Sequence, residues 1–129
     1  MGTVKATSGF TIVELIVVIS VLAILAAISI FSYGAWRENI AKAEVQNELH
    51  SAAGAMEAQR NFATTANTGY PTTAPFPFAS TDKVTLTYYA ATSTYSRFCI
   101  TGTSVSYPSI VYKIDSSVDK TKAVTGACS

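Results

Sequence analysis

The sequence predicts an α+β protein in which one long N-terminal helix packs on a small antiparallel sheet of three to four strands. Three features of the 129-residue chain lead to this prediction. Residues 10–31 are almost entirely apolar, and helix-forming residues continue without proline to about residue 62. From about residue 83 onward, β-branched and aromatic residues alternate with polar ones. Beside the apolar segment, a chain of this length leaves room for one small domain with a limited core.

The apolar run of residues 10–31 is long enough to cross a membrane. Val, Ile, Leu and Ala dominate it, and neither Pro nor Gly interrupts it. At 1.5 Å per residue it rises about 33 Å, which matches a bilayer hydrocarbon core of about 30 Å. Lys5 precedes the run and is weak evidence for a cytoplasmic N-terminus.

Glu14 is the one charged residue inside this run. A carboxylate at the centre of a membrane helix costs roughly 2.5–3.5 kcal/mol on insertion scales. A plain anchor gains nothing from such a residue. The pattern therefore indicates that the segment has a polar partner and that the anchor is also an assembly surface.

The residues around Glu14 resemble the processing site of type IV pilins and the related pseudopilins. The stretch Gly9-Phe10-Thr11-Ile12-Val13-Glu14-Leu15, followed by the apolar run, has the glycine, phenylalanine and glutamate of that family at the right spacings. The resemblance, which covers roughly residues 8–31, implies a prepilin with a class III leader. In such proteins a dedicated peptidase cuts after the glycine and methylates the new N-terminus. Carried over, cleavage falls between Gly9 and Phe10, and Phe10 becomes N-methylated.

The same resemblance implies four segments along the chain. Residues 1–9 are the cleaved leader, and 10–31 form the transmembrane and assembly helix. Residues 32–62 are its amphipathic continuation, and 63–129 hold a loop and the sheet.

Cleavage would give Glu14 a partner of opposite charge. The new amine of Phe10 lies four residues before Glu14, which places both groups on one face of a helix. Attraction between them is strong in a low dielectric, although desolvation cancels much of the gain. The amine can pair with Glu14 of its own chain or with Glu14 of a neighbouring subunit, and the sequence leaves both arrangements open.

Two positions depart from the family pattern. Many members carry a glycine midway along the apolar helix and a proline at its end, where this chain has Ala23 and Phe31. Gly and Pro weaken or kink a helix. We therefore predict a straighter and more continuous helix than is usual in the family, with Ser29 and Gly34 as weaker substitutes.

Residues 32–62 carry two apolar stripes on nearly opposite helix faces. One stripe is Val45, Leu49, Ala52 and Met56, and the other is Trp36, Ile40 and Ala43. We expect the first stripe to pack on the sheet. The second would face neighbouring subunits, or Trp36 would anchor the helix at the bilayer surface.

The strands follow a long loop that is rich in Thr, Pro and Ala and runs from Thr64 to Asp82. Its prolines exclude regular helix. Three strands are predicted after it, with Val105–Tyr107 as a further short one. The three are Lys83–Ala90, Tyr95–Thr101 and Ser109–Ile114.

Cys99 and Cys128 are the only cysteines of the chain. In a domain that follows an export signal they favour one disulfide, with two free buried thiols as the alternative. A bridge would close a loop of about thirty residues and contribute roughly 3–4 kcal/mol. It would pin the tail onto the sheet and give a disulfide-closed C-terminal region, which is similar to that of many type IV pilins.

The composition gives no sign of catalysis. The chain has one histidine, His50, and neither paired carboxylates nor a glycine-rich phosphate motif. Its net charge of +1 does not favour nucleic acid as a main partner. No catalytic residue, metal site or cofactor is predicted.

Two clusters near the C-terminus have weaker functional interpretations. Asp115 and Asp119 are candidates because some pseudopilins bind calcium in a C-terminal loop, but two carboxylates are few for a cation that takes 6–8 oxygens. A solvated turn is the favoured interpretation. Lys113, Lys120 and Lys122 form a weak basic cluster, which would matter for DNA only in an uptake pilus.

The resemblance implies a structural subunit of a type IV pilus. Such a subunit is a single-pass precursor in the cytoplasmic membrane and then part of a homo-oligomeric helical filament at the cell surface. Its expected partners are the prepilin peptidase and methyltransferase, and the assembly platform and motor of the pilus. Adhesion, twitching motility and DNA uptake are the activities that such a filament would serve.

Two alternatives remain open. The first is a pseudopilin of a type II secretion or competence system. The second, from a different class, is a secreted binding domain with a removed signal peptide, for which Ala27-Ile28-Ser29 would supply a small-residue cleavage site.

Overall fold

A computed structural model describes residues 9–62, 69–89 and 96–129. It contains one helix and four strands, which confirms the predicted α+β class. The elements are α1 (Ile12–Phe62), β1 (Val84–Tyr88), β2 (Cys99–Ser104), β3 (Val111–Asp115) and β4 (Asp119–Thr125). Contacts divide the chain into two compact units, Met1–Arg37 and Glu38–Ser129, which are described separately below.

The first unit contains the apolar part of α1. The helix passes through Ala23 and Phe31 without a break, which confirms the predicted continuity. The large apolar side chains between Phe10 and Phe31 are all at least half exposed. In the part of the chain that the structure describes, α1 is the one helix that is long and apolar enough to cross a membrane.

The second unit is built on a four-stranded antiparallel meander in the order β1-β2-β3-β4. Along β2 the side chains alternate between the two faces of the sheet. Ile100 and Gly102 face α1, because Ile100 is fully buried in the core and a Cβ atom on Gly102 would meet Leu49 and Val45. Cys99 and Thr101 therefore lie on the opposite face.

The strand boundaries differ from the prediction. β1 is Val84–Tyr88 rather than Lys83–Ala90, and β3 is Val111–Asp115 rather than Ser109–Ile114. β2 begins at Cys99 rather than Tyr95 and continues to Ser104. The predicted short strand Val105–Tyr107 is wrong, because this segment belongs to a turn in which the Tyr107 carbonyl accepts a hydrogen bond from the Ile110 N–H at 2.8 Å. The fourth strand is instead β4, in the C-terminal tail. Residues 90 and 95, the predicted outer ends of the first two strands, lie outside the described residues.

The core confirms the predicted packing of the first apolar stripe. Each of its four residues is at most 1% exposed, and together they contact the inner face of the sheet. The sheet supplies Val84, Ile100 and Ile114, and Phe98 adds the largest fully buried side chain.

Gly102 lets α1 approach the sheet closely. A Cβ atom built there would lie 3.0 Å from Leu49 Cγ and 3.1 Å from Val45 Cγ1. Both neighbours are fully buried, so neither can move away freely. The glycine therefore belongs to the packing of the core.

Gly102→Ala is expected to lower the free energy of unfolding by about 1–3 kcal/mol, because overpacking forces shifts in a dense core. Chemical denaturation of the full chain in detergent measures this change. Gly54→Ala is the matched control, because it adds the same methyl group on α1 where nothing lies within 4 Å. It is expected to stabilise the helix by up to about 1 kcal/mol. Equal stability of the two variants would contradict the packing role.

Tyr70 and Glu57 tie the segment after α1 to the helix. The Tyr70 hydroxyl donates a short hydrogen bond to Glu57 Oε1, and the Lys120 ammonium of β4 lies 3.4 Å from the same oxygen. The Arg60 guanidinium lies 5.3 Å from the centre of the Tyr70 ring. The hydrogen bond from Tyr70 is the main cause that lowers the pKa of Glu57; burial opposes it, and Lys120 and Arg60 add to the lowering.

Tyr70→Phe is expected to lower the free energy of unfolding by about 1–2 kcal/mol at pH 7, because a hydrogen bond to a charged group is lost. The folded-state pKa of Glu57 is depressed, so this stabilisation exists above the unfolded-state pKa of a glutamate and disappears as the pH falls through the folded-state value. The difference between wild type and variant should therefore shrink in acid. Tyr89→Phe, at an exposed tyrosine, is the control. A difference that stays constant from pH 7 to acid would contradict this account.

Candidate processing and assembly site

The N-terminus of α1 is capped by Thr11. Its side-chain oxygen accepts a hydrogen bond from the Glu14 N–H at 3.2 Å, and its carbonyl accepts the first helical bond from the Leu15 N–H, also at 3.2 Å. Thr11 is not among the predicted site residues. A threonine followed three residues later by a glutamate is nevertheless the capping-box signature, which was available in the sequence.

Gly9 and Phe10 lie before this cap and outside the helix. Phe10 is 86% exposed, and no atom of residues 9–62, 69–89 or 96–129 lies within 4 Å of the position that a side chain on Gly9 would take. None of these residues therefore covers the peptide bond between Gly9 and Phe10. In this uncleaved chain the helix starts at Ile12, after the Thr11 cap. That Phe10 and Glu14 share a helical face after cleavage stays a prediction.

Glu14 is the acidic residue in the first turn of α1. A negative charge there is favoured by the helix dipole, whose positive end is at the N-terminus. Within residues 9–62, 69–89 and 96–129, no cationic group forms an ion pair with its carboxylate. Its charge is therefore still available to a partner outside the described structure.

The two serines of the apolar helix already have hydrogen-bond partners within the helix. The Ser20 hydroxyl donates to the Ile16 carbonyl at 2.7 Å, and the Ser29 hydroxyl donates to the Leu25 carbonyl at 2.9 Å. Such local bonds satisfy a polar group without a neighbouring chain. Among the polar side chains of this apolar helix, the Glu14 carboxylate is therefore the one expected to pair with a cationic group outside the described residues.

Comparison with known families supports this assignment of the N-terminal segment. The prokaryotic N-terminal methylation motif matches residues 4–30, a stretch that contains Gly9, Phe10 and Glu14. The match supports a class III leader of the kind that type IV pilins and pseudopilins carry, and this class of protein is structural rather than enzymatic. For this chain, the matched motif supports a type IV pilin-like or pseudopilin protein, and it implies processing by a prepilin peptidase and assembly into a pilus-type filament. No curated protein and no solved structure gives a significant match.

The C-terminal tail crosses the face of the sheet that lies opposite α1. Cys99 and Cys128 form a disulfide, which confirms the predicted bridge and rules out the alternative of free thiols. The Cys128 N–H also donates to Thr101 Oγ1 at 2.9 Å. Both cysteines are buried, and these two links hold the tail to the first half of β2.

The carboxylates of Asp115 and Asp119 organise local turns. Asp115 Oδ1 accepts hydrogen bonds from the Ser117 N–H at 2.9 Å and the Ser117 hydroxyl at 2.6 Å. Asp119 Oδ1 accepts the equivalent pair from Thr121 at 2.8 and 2.6 Å. Burial acts to raise the pKa of Asp115, but the Ser117 bonds together with the charges of Arg97 and Lys113 outweigh it, and the pKa lies below its usual value. The Thr121 bonds lower the pKa of Asp119.

Neither weaker cluster forms a developed site. In the described residues, no group of three or more His, Cys, Asp and Glu side chains is placed to hold a metal ion. The basic cluster is divided, because Lys120 is paired with Glu57 of α1. His50 is exposed on α1.

The second apolar stripe of α1 is exposed. Trp36 is 57% exposed and Ile40 is 37% exposed, and Ala43 is exposed as well. These side chains are therefore available to a neighbouring subunit or to a bilayer surface, as both predicted interpretations require.

Proposed function

We propose that the chain is the structural subunit of a type IV pilus. It is inserted in the membrane as a prepilin, cleaved after Gly9, N-methylated at Phe10 and polymerised through its N-terminal helix. One observation carries this proposal. Within the matched motif, the Gly9–Phe10 bond lies just before a capped apolar helix with exposed side chains, and the first turn of this helix holds a carboxylate that has no ion-pair partner among the described residues.

The leader of residues 1–9 blocks the pairing of Glu14 until it is removed. While Gly9 is attached, the Phe10 nitrogen is a neutral amide and offers no charge. Cleavage turns it into a cationic amine two residues before the start of α1. The amine can then compensate Glu14 of an adjacent subunit, or of its own chain if the helix extends back past Thr11.

Assembly also buries apolar surface. The side chains from Ile12 to Phe31 stay in lipid before assembly and pack against the same helices of neighbouring subunits afterwards. Because lipid is itself apolar, this exchange adds little hydrophobic driving force. Helix packing and the amine–carboxylate pair therefore supply much of the specificity of assembly.

The unit Glu38–Ser129 supplies the part of the subunit that faces the surroundings. Its sheet is closed by the Cys99–Cys128 disulfide, which suits an oxidising compartment outside the cytoplasm. The filament would be handled by an assembly platform and a motor. Adhesion or twitching motility would be its activity, and nucleic acid would be a partner only of an uptake pilus.

A pseudopilin of a type II secretion or competence system is the second candidate, because the matched motif is common to both classes. Two features favour the pilus subunit. The Asp115 and Asp119 carboxylates are engaged in their own turns, and a disulfide holds the C-terminal region.

Mass spectrometry of the mature chain tests the processing step. We expect the chain to begin with N-methylated Phe10, and Gly9→Val to block cleavage because it adds bulk at the exposed scissile bond. Gly34→Ala, which also adds a side chain in open space, is the control and should be processed normally. A mature chain that begins after Ala27 or Ser29 would contradict the proposal and support a secreted domain.

Electron microscopy of cells separates the two filament classes. Long surface fibres that contain the chain support the pilus subunit. Cells that process the chain, secrete a second protein with its help and show no surface fibres would instead support the pseudopilin.

A further inference from the structure

Three side chains form a cluster just beyond the apolar run, which we call the collar: Tyr33, Trp36 and Arg37. The Tyr33 and Trp36 ring centres are 5.7 Å apart, and the Arg37 guanidinium carbon lies 5.9 Å from the centre of the Tyr33 ring. Spacings of three and four residues put all three on one side of α1. Both aromatic rings are 57% exposed.

The chemistry of the collar is that of a membrane–water boundary. Tyr and Trp present an apolar body and a polar tip, and they concentrate at the headgroup level of bilayers. A guanidinium binds phosphate oxygens well and can extend along an apolar surface to reach them. The collar follows directly on Phe31, where the apolar run ends.

The spacing between the collar and Glu14 matches the thickness of a bilayer. Glu14 and Tyr33 are nineteen residues apart in one continuous helix, a rise of about 29 Å against a hydrocarbon core of about 30 Å. When the collar lies at one interface, Glu14 therefore lies at the opposite one. A carboxylate costs most at the centre of the bilayer, so this depth lowers the cost of inserting Glu14.

The same depth places the processing bond outside the hydrocarbon core. Gly9 and Phe10 precede Thr11 and lie beyond Glu14 along the chain. With Glu14 at the boundary, the Gly9–Phe10 bond enters the headgroup layer, where a peptidase and water can reach it. One helical turn of displacement, about 5.4 Å, would draw this bond toward the lipid or push it into bulk water.

We propose that the collar binds the lipid headgroup region and thereby sets the depth of the helix, so that Glu14 and the Gly9–Phe10 bond lie at the opposite membrane interface. The partner is an anionic phospholipid surface, recognised by two interfacial aromatic rings and one guanidinium. The part of the proposal that concerns the depth of the collar assumes only that the helix inserts in a membrane. Its effect on cleavage rests on the proposed function, and the two parts are tested separately.

Trp36 is the only tryptophan of the chain, so its fluorescence reports the depth of the collar directly. The full chain is reconstituted in vesicles of phosphatidylethanolamine and phosphatidylglycerol that contain lipids brominated at different acyl positions. We expect the strongest quenching from bromines nearest the headgroup. Strongest quenching from bromines at the chain ends, or no quenching at any position, would overturn the proposal. If self-association shields Trp36 from every brominated lipid, no quenching is observed, and this result also overturns the proposal.

Variants of the collar test whether it controls the depth. Tyr33→Leu combined with Arg37→Gln removes two anchors and keeps the fluorescent Trp36. We expect the quenching maximum to move toward the bilayer centre, and cleavage after Gly9 by a prepilin peptidase in the same vesicles to slow by roughly tenfold, as expected for a misplaced reacting bond. Tyr89→Leu removes an exposed aromatic outside the apolar helix and is the matched control.

The outcomes of the two assays distinguish the two ideas. An unchanged quenching profile in the collar variant overturns the anchoring role. A shifted profile with unchanged cleavage overturns the link to processing. A wild-type chain that the peptidase does not cleave contradicts the proposed function, and in that case the quenching profile alone decides the depth of the collar.

Discussion

Replacing Glu14 with glutamine is expected to leave membrane insertion intact or improved and to reduce filament yield by about tenfold or more. Glutamine keeps the size of the side chain but cannot neutralise the amine that cleavage creates at Phe10. Removing one partner of an ion pair in a low dielectric leaves an uncompensated charge, at a cost of about 3–5 kcal/mol. This penalty recurs at every subunit contact, so the filament yield is expected to fall sharply.

Sheared filaments, quantified by immunoblot against the membrane-bound pool, measure the effect of Glu14→Gln. Ser20→Ala is the matched control, because it removes a polar group of the same helix that is already bonded to the Ile16 carbonyl. The control should assemble normally. Normal filament yield from Glu14→Gln would contradict the pairing role, whereas a loss of membrane insertion would show that Glu14 acts before assembly.

Replacing both Cys99 and Cys128 with alanine is expected to lower the free energy of unfolding of the unit Glu38–Ser129 by about 3–4 kcal/mol. The bridge joins residues 29 apart in sequence, and a loop of that length loses considerable entropy when it is closed in the unfolded chain. Side-chain burial adds little to the hold on the tail beyond its pairing with β3, since six of the seven residues of β4 are exposed, and Cys128 contributes one hydrogen bond to Thr101.

Chemical denaturation followed by circular dichroism measures the effect of the double variant. Val118→Ala serves as the control, because Val118 lies in the turn between β3 and β4 and is 79% exposed. It should change stability little. Hydrogen exchange is expected to show loss of protection in β4 while the amides of β2 and β3 remain protected. Unchanged stability of the double variant would contradict the role given to the bridge.

The helix can be predicted from the sequence because the patterns that indicate it are local. The apolar run and the stripe of Val45, Leu49, Ala52 and Met56 repeat with the period of a helix, and this period does not depend on distant residues. Continuity through Ala23 and Phe31 follows equally from local chemistry, since neither residue breaks a helix. The Thr11 cap was accessible in the same way, through its spacing to Glu14.

The sheet is harder to predict from the sequence because each strand depends on pairing with residues that are distant in the chain. Gly102 weakens the strand signal of β2, yet the chain remains extended there because Gly102 pairs with Leu86 of β1 and Tyr112 of β3. Its missing side chain leaves room for Leu49 and Val45 of α1. β4 carries mainly polar and charged residues, and it lacks the alternation of apolar and polar residues that predicts a strand. It forms a strand because it pairs with β3 and because Lys120 reaches Glu57.

The amino-acid sequence is enough to identify an apolar segment with one carboxylate, a motif of the prepilin kind before it, and a single possible disulfide. Each of these depends on residue identity and short spacing alone. The folded chain adds that the helix starts at Ile12, that the tail forms a fourth strand and crosses the sheet, and that Tyr33, Trp36 and Arg37 lie together. These features depend on which groups meet in space, and hydrogen bonds, ion pairs and ring contacts form between residues only once the backbone has placed them side by side.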